Sequence, residues 1–145
     1  MRLPIRLSLA IVSALGLGLV SAACPGPEPT PTIAPTLPAI QANIFTPSCN
    51  FSSCHSSGSA AGGLVLASGT SFAKLVNVLS AQTTAKNQGL LRVKPGDPAG
   101  SFLIIKLKAT LARGYGDHMP DTGQQLSDAQ LSAISNWIVL GAPND

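Results

Sequence analysis

The sequence predicts a small all-α domain of short helices joined by long loops. Apolar residues recur at helical spacing in four short stretches after residue 38, no segment there reads as a strand, and capping and stop residues bracket the last stretch. Ile40, Ile44 and Phe45 place the first helix ahead of Pro47. Ser71 is positioned to cap a second, carrying Phe72, Leu75, Val76 and Leu79. In Lys94-Pro95-Gly96-Asp97-Pro98, Asp97 reads as the N-cap and Pro98 as the first residue of a third, with Phe102, Leu103, Ile105 and Leu107 as its apolar positions. Ser127-Asp128-Ala129-Gln130 forms a capping box for the last helix, with Leu126 able to staple onto Leu131. Leu131, Ile134, Trp137 and Ile138 then mark its buried face, and Gly141 followed by Pro143 stops it. Trp137 reads as packing between helices.

The first third of the 145-residue chain is different in kind. Arg2 and Arg6 precede an apolar run from Leu7 to Val20, and Ser21-Ala22-Ala23 supplies the small residues of a cleavage site, so residues 1–23 read as an export signal. The run falls short of the roughly 20 residues that span a bilayer as a helix. Residues 24–38 contain six of the twelve prolines and no apolar periodicity. They read as an extended tether with a reach of roughly 40 Å in polyproline II geometry, leaving residues 39–145 as the folded domain. Of the 9 Lys and Arg, two lie in the signal, so 7 face 6 Asp and Glu in the remainder. That near-neutral balance, without a basic cluster, excludes nucleic acid as a partner.

Three cysteines occur, Cys24, Cys49 and Cys54. Cys24 directly follows the small residues of the signal, where a bacterial lipoprotein carries its lipid; Ser21 stands where that pattern prefers Leu, and cleavage after Ala23 also fits. With Cys24 lipidated, residues 25–38 would hold the domain off a membrane in the cell envelope. Cys49 and Cys54 remain as a pair, and His55 follows the second. Two cysteines and an adjacent histidine read as a covalent haem attachment site, with Cys49 and Cys54 as thioether donors and His55 as the proximal iron ligand. The spacing is Cys-x-x-x-x-Cys-His, two residues longer than usual, and Asn50, Ser52 and Ser53 suit a polar loop that bulges out between the cysteines. An acceptor for the second nitrogen of His55 is expected among the backbone carbonyls of residues 56–63. Leu64 and Leu66 are candidates to line a porphyrin.

Met119, in Gly-Asp-His-Met-Pro-Asp, is the candidate for the opposite face of the iron, and its thioether would favour ferrous iron. His118 is its competitor. Lys74, Lys86, Lys94, Lys106 and Lys108 read as a solvated surface, the alternative being a ring that steers an acidic redox partner.

The order of these features resembles the mono-haem cytochrome c domains of exported bacterial proteins, including the planctomycete-type. The resemblance runs from Ile44-Phe45-Thr46-Pro47-Ser48-Cys49 through Cys54-His55, Gly62-Gly63-Leu64-Val65-Leu66, Val93-Lys94-Pro95-Gly96-Asp97-Pro98, His118-Met119-Pro120 and Leu126-Ser127-Asp128-Ala129-Gln130 to Trp137-Ile138. It implies a compact cytochrome c-like helical fold around one haem c, His55 and Met119 as axial ligands, and electron transfer to a protein partner rather than enzymatic turnover. It departs from that pattern in having no proline between His55 and Pro95. The alternative reading is a haem-free exported structural or binding module with a Cys49–Cys54 disulfide. A peroxidase or small-ligand sensor is a third, and zinc lacks a convincing fourth ligand.

Overall fold

The computed structural model describes residues 32–108 and 110–145. The expected export signal, Cys24 and most of the expected proline-rich tether lie outside the described residues. Helices account for 38% of the structure, and among the described residues there is no strand. None of these helices is long and apolar enough to cross a membrane.

The first helix forms in three parts. Helix α1 (Leu37–Ile40) starts at Thr36, whose Oγ1 accepts the Ala39 N–H, and Pro38 sits in the first turn where its missing N–H costs nothing. A π-helical segment (Gln41–Phe45) follows, then α2 (Thr46–Ser48). Pro47 has no N–H to offer the Asn43 carbonyl, so the regular i→i−4 ladder cannot run through this stretch. The turn widens instead, and the Thr46 N–H reaches back five residues to Gln41. The helix starts ahead of the expected boundary at Ala39. Leu37 is buried, Ile33 packs against the core, and the Leu37 N–H donates to Asp145 Oδ1, so the end of the tether belongs to the folded unit.

Helix α3 (Ser71–Leu75) is shorter than its apolar spacing predicts, and Ser71 is its first residue rather than its cap. The Ser71 hydroxyl donates instead to buried Gln41 Oε1, whose amide nitrogen donates to the Leu66 carbonyl. Beyond Leu75 a tertiary partner displaces the helix. Val76 bridges Val93 and Leu79 bridges Leu91, and the Val93, Arg92 and Ser80 N–H groups find the Leu75, Val78 and Leu90 carbonyls. Helix α4 (Thr83–Asn87) has no apolar pattern to announce it and was not expected; the Gln82 side chain caps it by accepting the Ala85 N–H.

Asp97 and Pro98 do not open a helix. Asp97 Oδ1 accepts the Gly100 N–H and closes a turn, Ser101 is extended, and α5 (Phe102–Leu107) begins only there. The reason is again tertiary, because the first two N–H groups of α5 donate to the Leu91 and Arg92 carbonyls at 2.9 Å. Helix α6 (Asp128–Val139) has both hydrogen bonds of its capping box, and Leu126 and Leu131 both pack at the core. It ends in a Schellman motif. Gly141, at φ +96°, places its N–H on the Ile138 carbonyl, and the Ala142 N–H reaches Trp137. Ile134, Trp137 and Ile138 are fully buried, while Leu131 is only partly so. Helix α6 packs on α1 and α5, and Ile40, Ile44, Phe45, Leu75 and Val93 complete the core.

Candidate functional site

One apolar cavity, about 300 Å³, opens beside this core, and the site residues expected from the sequence gather unevenly around it. Cys49, His55 and Met119 line it, together with Ile44, Phe45, Leu64, Leu66, Leu75, Leu103, Leu107 and Ile134. Cys54 and His118 are half-buried and are not part of the wall. Its size falls in the range of ordinary small-molecule and cofactor sites, roughly 300–1,000 Å³.

The Cys49–His55 side of the cavity is built by the chain leaving α2. The Cys49 and Asn50 N–H groups both return to the Phe45 carbonyl, at 3.0 and 2.8 Å, which fixes Cys49 at the end of the helix. Residues 51–54 then make a turn closed by the Cys54 N–H on Phe51 O, and the His55 N–H donates back to Cys49 O at 3.1 Å. The bulge is less polar than its sequence suggests. Phe51 is exposed with Ser52 and Ser53, whereas Asn50 turns inward and leaves its Oδ1 buried without a partner. Cys49 and Cys54 are free thiols. Burial pushes the Cys49 thiol up to about 11, helped by the like charge that Cys54 would carry.

After the loop the chain doubles back. The Ala61 N–H donates to Cys54 O at 3.0 Å and the Leu66 N–H to His55 O at 2.7 Å, so residues 64–66 run alongside the histidine. This brings the Leu64 carbonyl to 3.2 Å from His55 Nδ1. The acceptor lies one residue beyond the stretch expected to supply it. A carbonyl only accepts, so the Nδ1 that meets it carries a proton, an arrangement that in the neutral imidazole leaves the Nε2 lone pair for a ligand.

The Met119 side of the cavity hangs from α5. The Met119 N–H donates to Lys106 O at 2.7 Å, and the Lys106 ammonium donates to the Tyr115 and Asp117 carbonyls. Tyr115 packs edge-on against Phe102 at 5.3 Å between centroids, and Gln82 Nε2 holds the Gly114 carbonyl. The Met119–Pro120 peptide is cis. Lys106 lines the cavity rather than a solvated surface, and burial lowers its pKa against the pull of Asp117 and Asp121. Lys74, Lys86, Lys94 and Lys108 are exposed, Lys94 pairing with Asp97 at 2.8 Å.

Arg92 was not anticipated at the site. It is buried and lines the cavity, with its guanidinium donating to the Lys74, Gly62 and Gly63 carbonyls. The only sequence signal is its place between Leu91 and Val93. Among the described residues no group of three or more His, Cys, Asp or Glu is arranged to hold a metal ion. Comparison with protein families, curated proteins and solved structures found no match.

A covalent haem is the group this donor set would suit. The group needs an apolar slot, a thiol at its edge, an imidazole with a free nitrogen and a second axial donor. Cys49, His55 Nε2 and Met119 meet these requirements at one cavity.

Proposed function

We propose that this protein carries electrons by means of one covalently attached c-type haem, held by thioethers from Cys49 and Cys54 with His55 and Met119 as axial ligands. The observation that carries the reading is the convergence of Cys49, His55 and Met119 on one apolar cavity, with the His55 tautomer set by the Leu64 carbonyl. Bound there, haem iron supplies reversible one-electron exchange. The chain's own residues exclude water through the leucine and phenylalanine walls, orient the imidazole through Leu64 and hold the methionine loop through Lys106. Met119 in the wall, with His118 outside it, favours methionine over a second imidazole. The same reading puts the domain in the cell envelope, tethered through lipidated Cys24 and serving a redox protein partner. On this reading the fold is a cytochrome c-like one and the protein is a carrier rather than an enzyme.

Expression with a cytochrome c maturation system, followed by a pyridine haemochrome spectrum, tests attachment and the number of thioethers together. A coloured product with a thioether-type spectrum is expected. A colourless protein with a Cys49–Cys54 disulfide would replace this reading with the haem-free module. In the matured protein, Met119→Ala should change the ligation spectrum and lower the reduction potential; an unchanged spectrum and potential would rule out methionine as ligand.

A further inference from the structure

The Leu64 carbonyl that meets His55 Nδ1 ends a loop with little stiffness of its own. Ala60, Gly62 and Gly63 have φ of 45°, 62° and 65°, and no proline between His55 and Pro95 restricts the backbone. The Gly63 and Leu64 N–H groups bond to Ala60 and Ala61, inside the loop itself. The Ala61 and Leu66 N–H groups bond only to Cys54 and His55, the segment whose histidine is to be oriented. The Leu64 side chain packs at the core, but packing a side chain does not aim a carbonyl.

Among the described residues, the hydrogen bonds that reach Gly62 and Gly63 from outside the loop come from Arg92. Its Nη1 donates to Gly63 O at 3.3 Å and to Lys74 O at 2.8 Å, and its Nη2 donates to Gly62 O at 2.8 Å. Those two glycine carbonyls belong to the two peptide planes directly before Leu64, so holding them leaves only the φ and ψ of Leu64 to aim the next carbonyl. Arg92 is itself held on both sides, its N–H donating to Val78 O at 2.7 Å and its carbonyl accepting the Leu103 N–H at 2.9 Å. Through Lys74 O the same guanidinium is braced on α3. Arg92 is buried, and an aliphatic residue would fill its place without the cost of burying a charge. What a guanidinium adds is a rigid planar fork that holds several carbonyls at once.

We infer that Arg92 is a positioning residue for His55: its fork fixes the Gly62 and Gly63 peptides, and through them the Leu64 carbonyl that orients the imidazole. This rests on the haem reading above, on which His55 is an axial ligand. The fork supplies from across the fold the stiffness that a proline after the histidine would supply locally.

The test is hydrogen–deuterium exchange of the His55 Nδ1–H, followed by NMR in the matured, reduced protein. The Trp137 Nε1–H, bonded to Pro143 O at 2.9 Å, is the internal reference for unfolding of the whole domain. In the unmutated protein the His55 proton should be protected, and exchange as fast as in an exposed imidazole would overturn the inference. In Arg92→Gln its exchange should speed at least about tenfold relative to that of Trp137, the effect of losing one charge-assisted hydrogen bond or more. An Arg92 that only stabilises the fold would speed both protons together, and one that does not touch the loop would change neither; both results overturn the inference. Arg92→Lys keeps the charge but not the fork, and its His55 rate should lie between the other two. Full protection in Arg92→Lys would show that charge alone suffices and would overturn the role of the fork. If Arg92→Gln does not accumulate, Arg92→Lys decides on the same terms. A colourless product overturns the haem reading and this inference together, whereas a holoprotein in which His55 and Trp137 respond alike overturns this one alone.

Discussion

Replacing Lys106 by methionine isolates what holds the Met119 loop, because Met keeps most of the length and apolar surface of the side chain and removes only its donors. The Lys106 ammonium ties down Tyr115 at 3.2 Å and also Asp117, and its backbone carbonyl, which the substitution leaves in place, accepts Met119 N–H at 2.7 Å. A hydrogen bond to a charged group contributes about 1.5–3 kcal/mol. Two reductions apply. The freed carbonyls lie near solvent and regain water, and the burial that lowers the Lys106 pKa already sets a desolvation cost against the bonds. The net loss should be about 1 kcal/mol, a factor of about five in an equilibrium between the held and released loop. On the proposed haem reading, displacing Met119 from ferric iron would require releasing that loop, so matured Lys106→Met should bind added imidazole about fivefold more tightly than the unmutated protein. Imidazole titration followed by absorbance reads this directly, and urea unfolding should show a matching loss of about 1 kcal/mol. A loss of stability with unchanged imidazole affinity would refute the idea that Lys106 holds Met119. No change in either would mean that the two bonds contribute nothing beyond hydration.

Asp97 sets an acid dependence, since its hydrogen bond to Lys94, seconded by the Gly100 N–H, holds the carboxyl below its ordinary range. The unfolded chain therefore binds that proton more readily, and the contribution is present above the unfolded pKa of about 3.9 and is lost as pH falls through the folded value. Urea midpoints of Asp97→Asn should lie slightly below those of the unmutated protein at neutral pH, and the gap should close below about pH 4; a gap independent of pH would show that the carboxylate charge is not what matters. Trp137→Phe removes the donor that satisfies the Pro143 carbonyl at 2.9 Å and part of a fully buried ring, and should cost about 2 kcal/mol in urea unfolding. A loss within a few tenths of a kcal/mol would show that the C-terminal tail gains nothing from that bond.

What could be read from the sequence divides by the range of the interactions. Helix α6 was legible because its determinants are local: the Ser127–Gln130 box at one end and Gly141 at the other act within a few residues of themselves. The third predicted helix is present, but its start, read from the equally local signals Asp97 and Pro98, falls later, because distant carbonyls of Leu91 and Arg92 capture the N–H groups of Phe102 and Leu103. Val76 and Leu79 kept helical spacing but left the helix for Val93 and Leu91, a choice set by pairing across a long connection. The site divides in the same way. Cys49, His55 and Met119 were visible as residue types at a spacing. The Leu64 carbonyl carries no side-chain signal, Arg92 looks like any surface arginine until its burial is known, and Lys106 looked like one more solvated lysine.

The long Cys-x-x-x-x-Cys-His spacing acquires a specific meaning from the hydrogen bond between His55 N–H and Cys49 O. In the shorter Cys-x-x-Cys-His arrangement the histidine stands four residues after the first cysteine, where one helical turn would join the same two groups. Here it stands six residues on, yet the pair is still joined, and the added length leaves the ring as the turn at residues 51–54 with Phe51, Ser52 and Ser53 exposed. The relation of Cys49 to His55 is therefore kept, and both line the cavity. Cys54 absorbs the difference. It closes the turn through its own N–H and lies outside the cavity wall, so on the proposed haem reading the geometric demand of a second thioether falls on Cys54 while Cys49 and His55 keep their place.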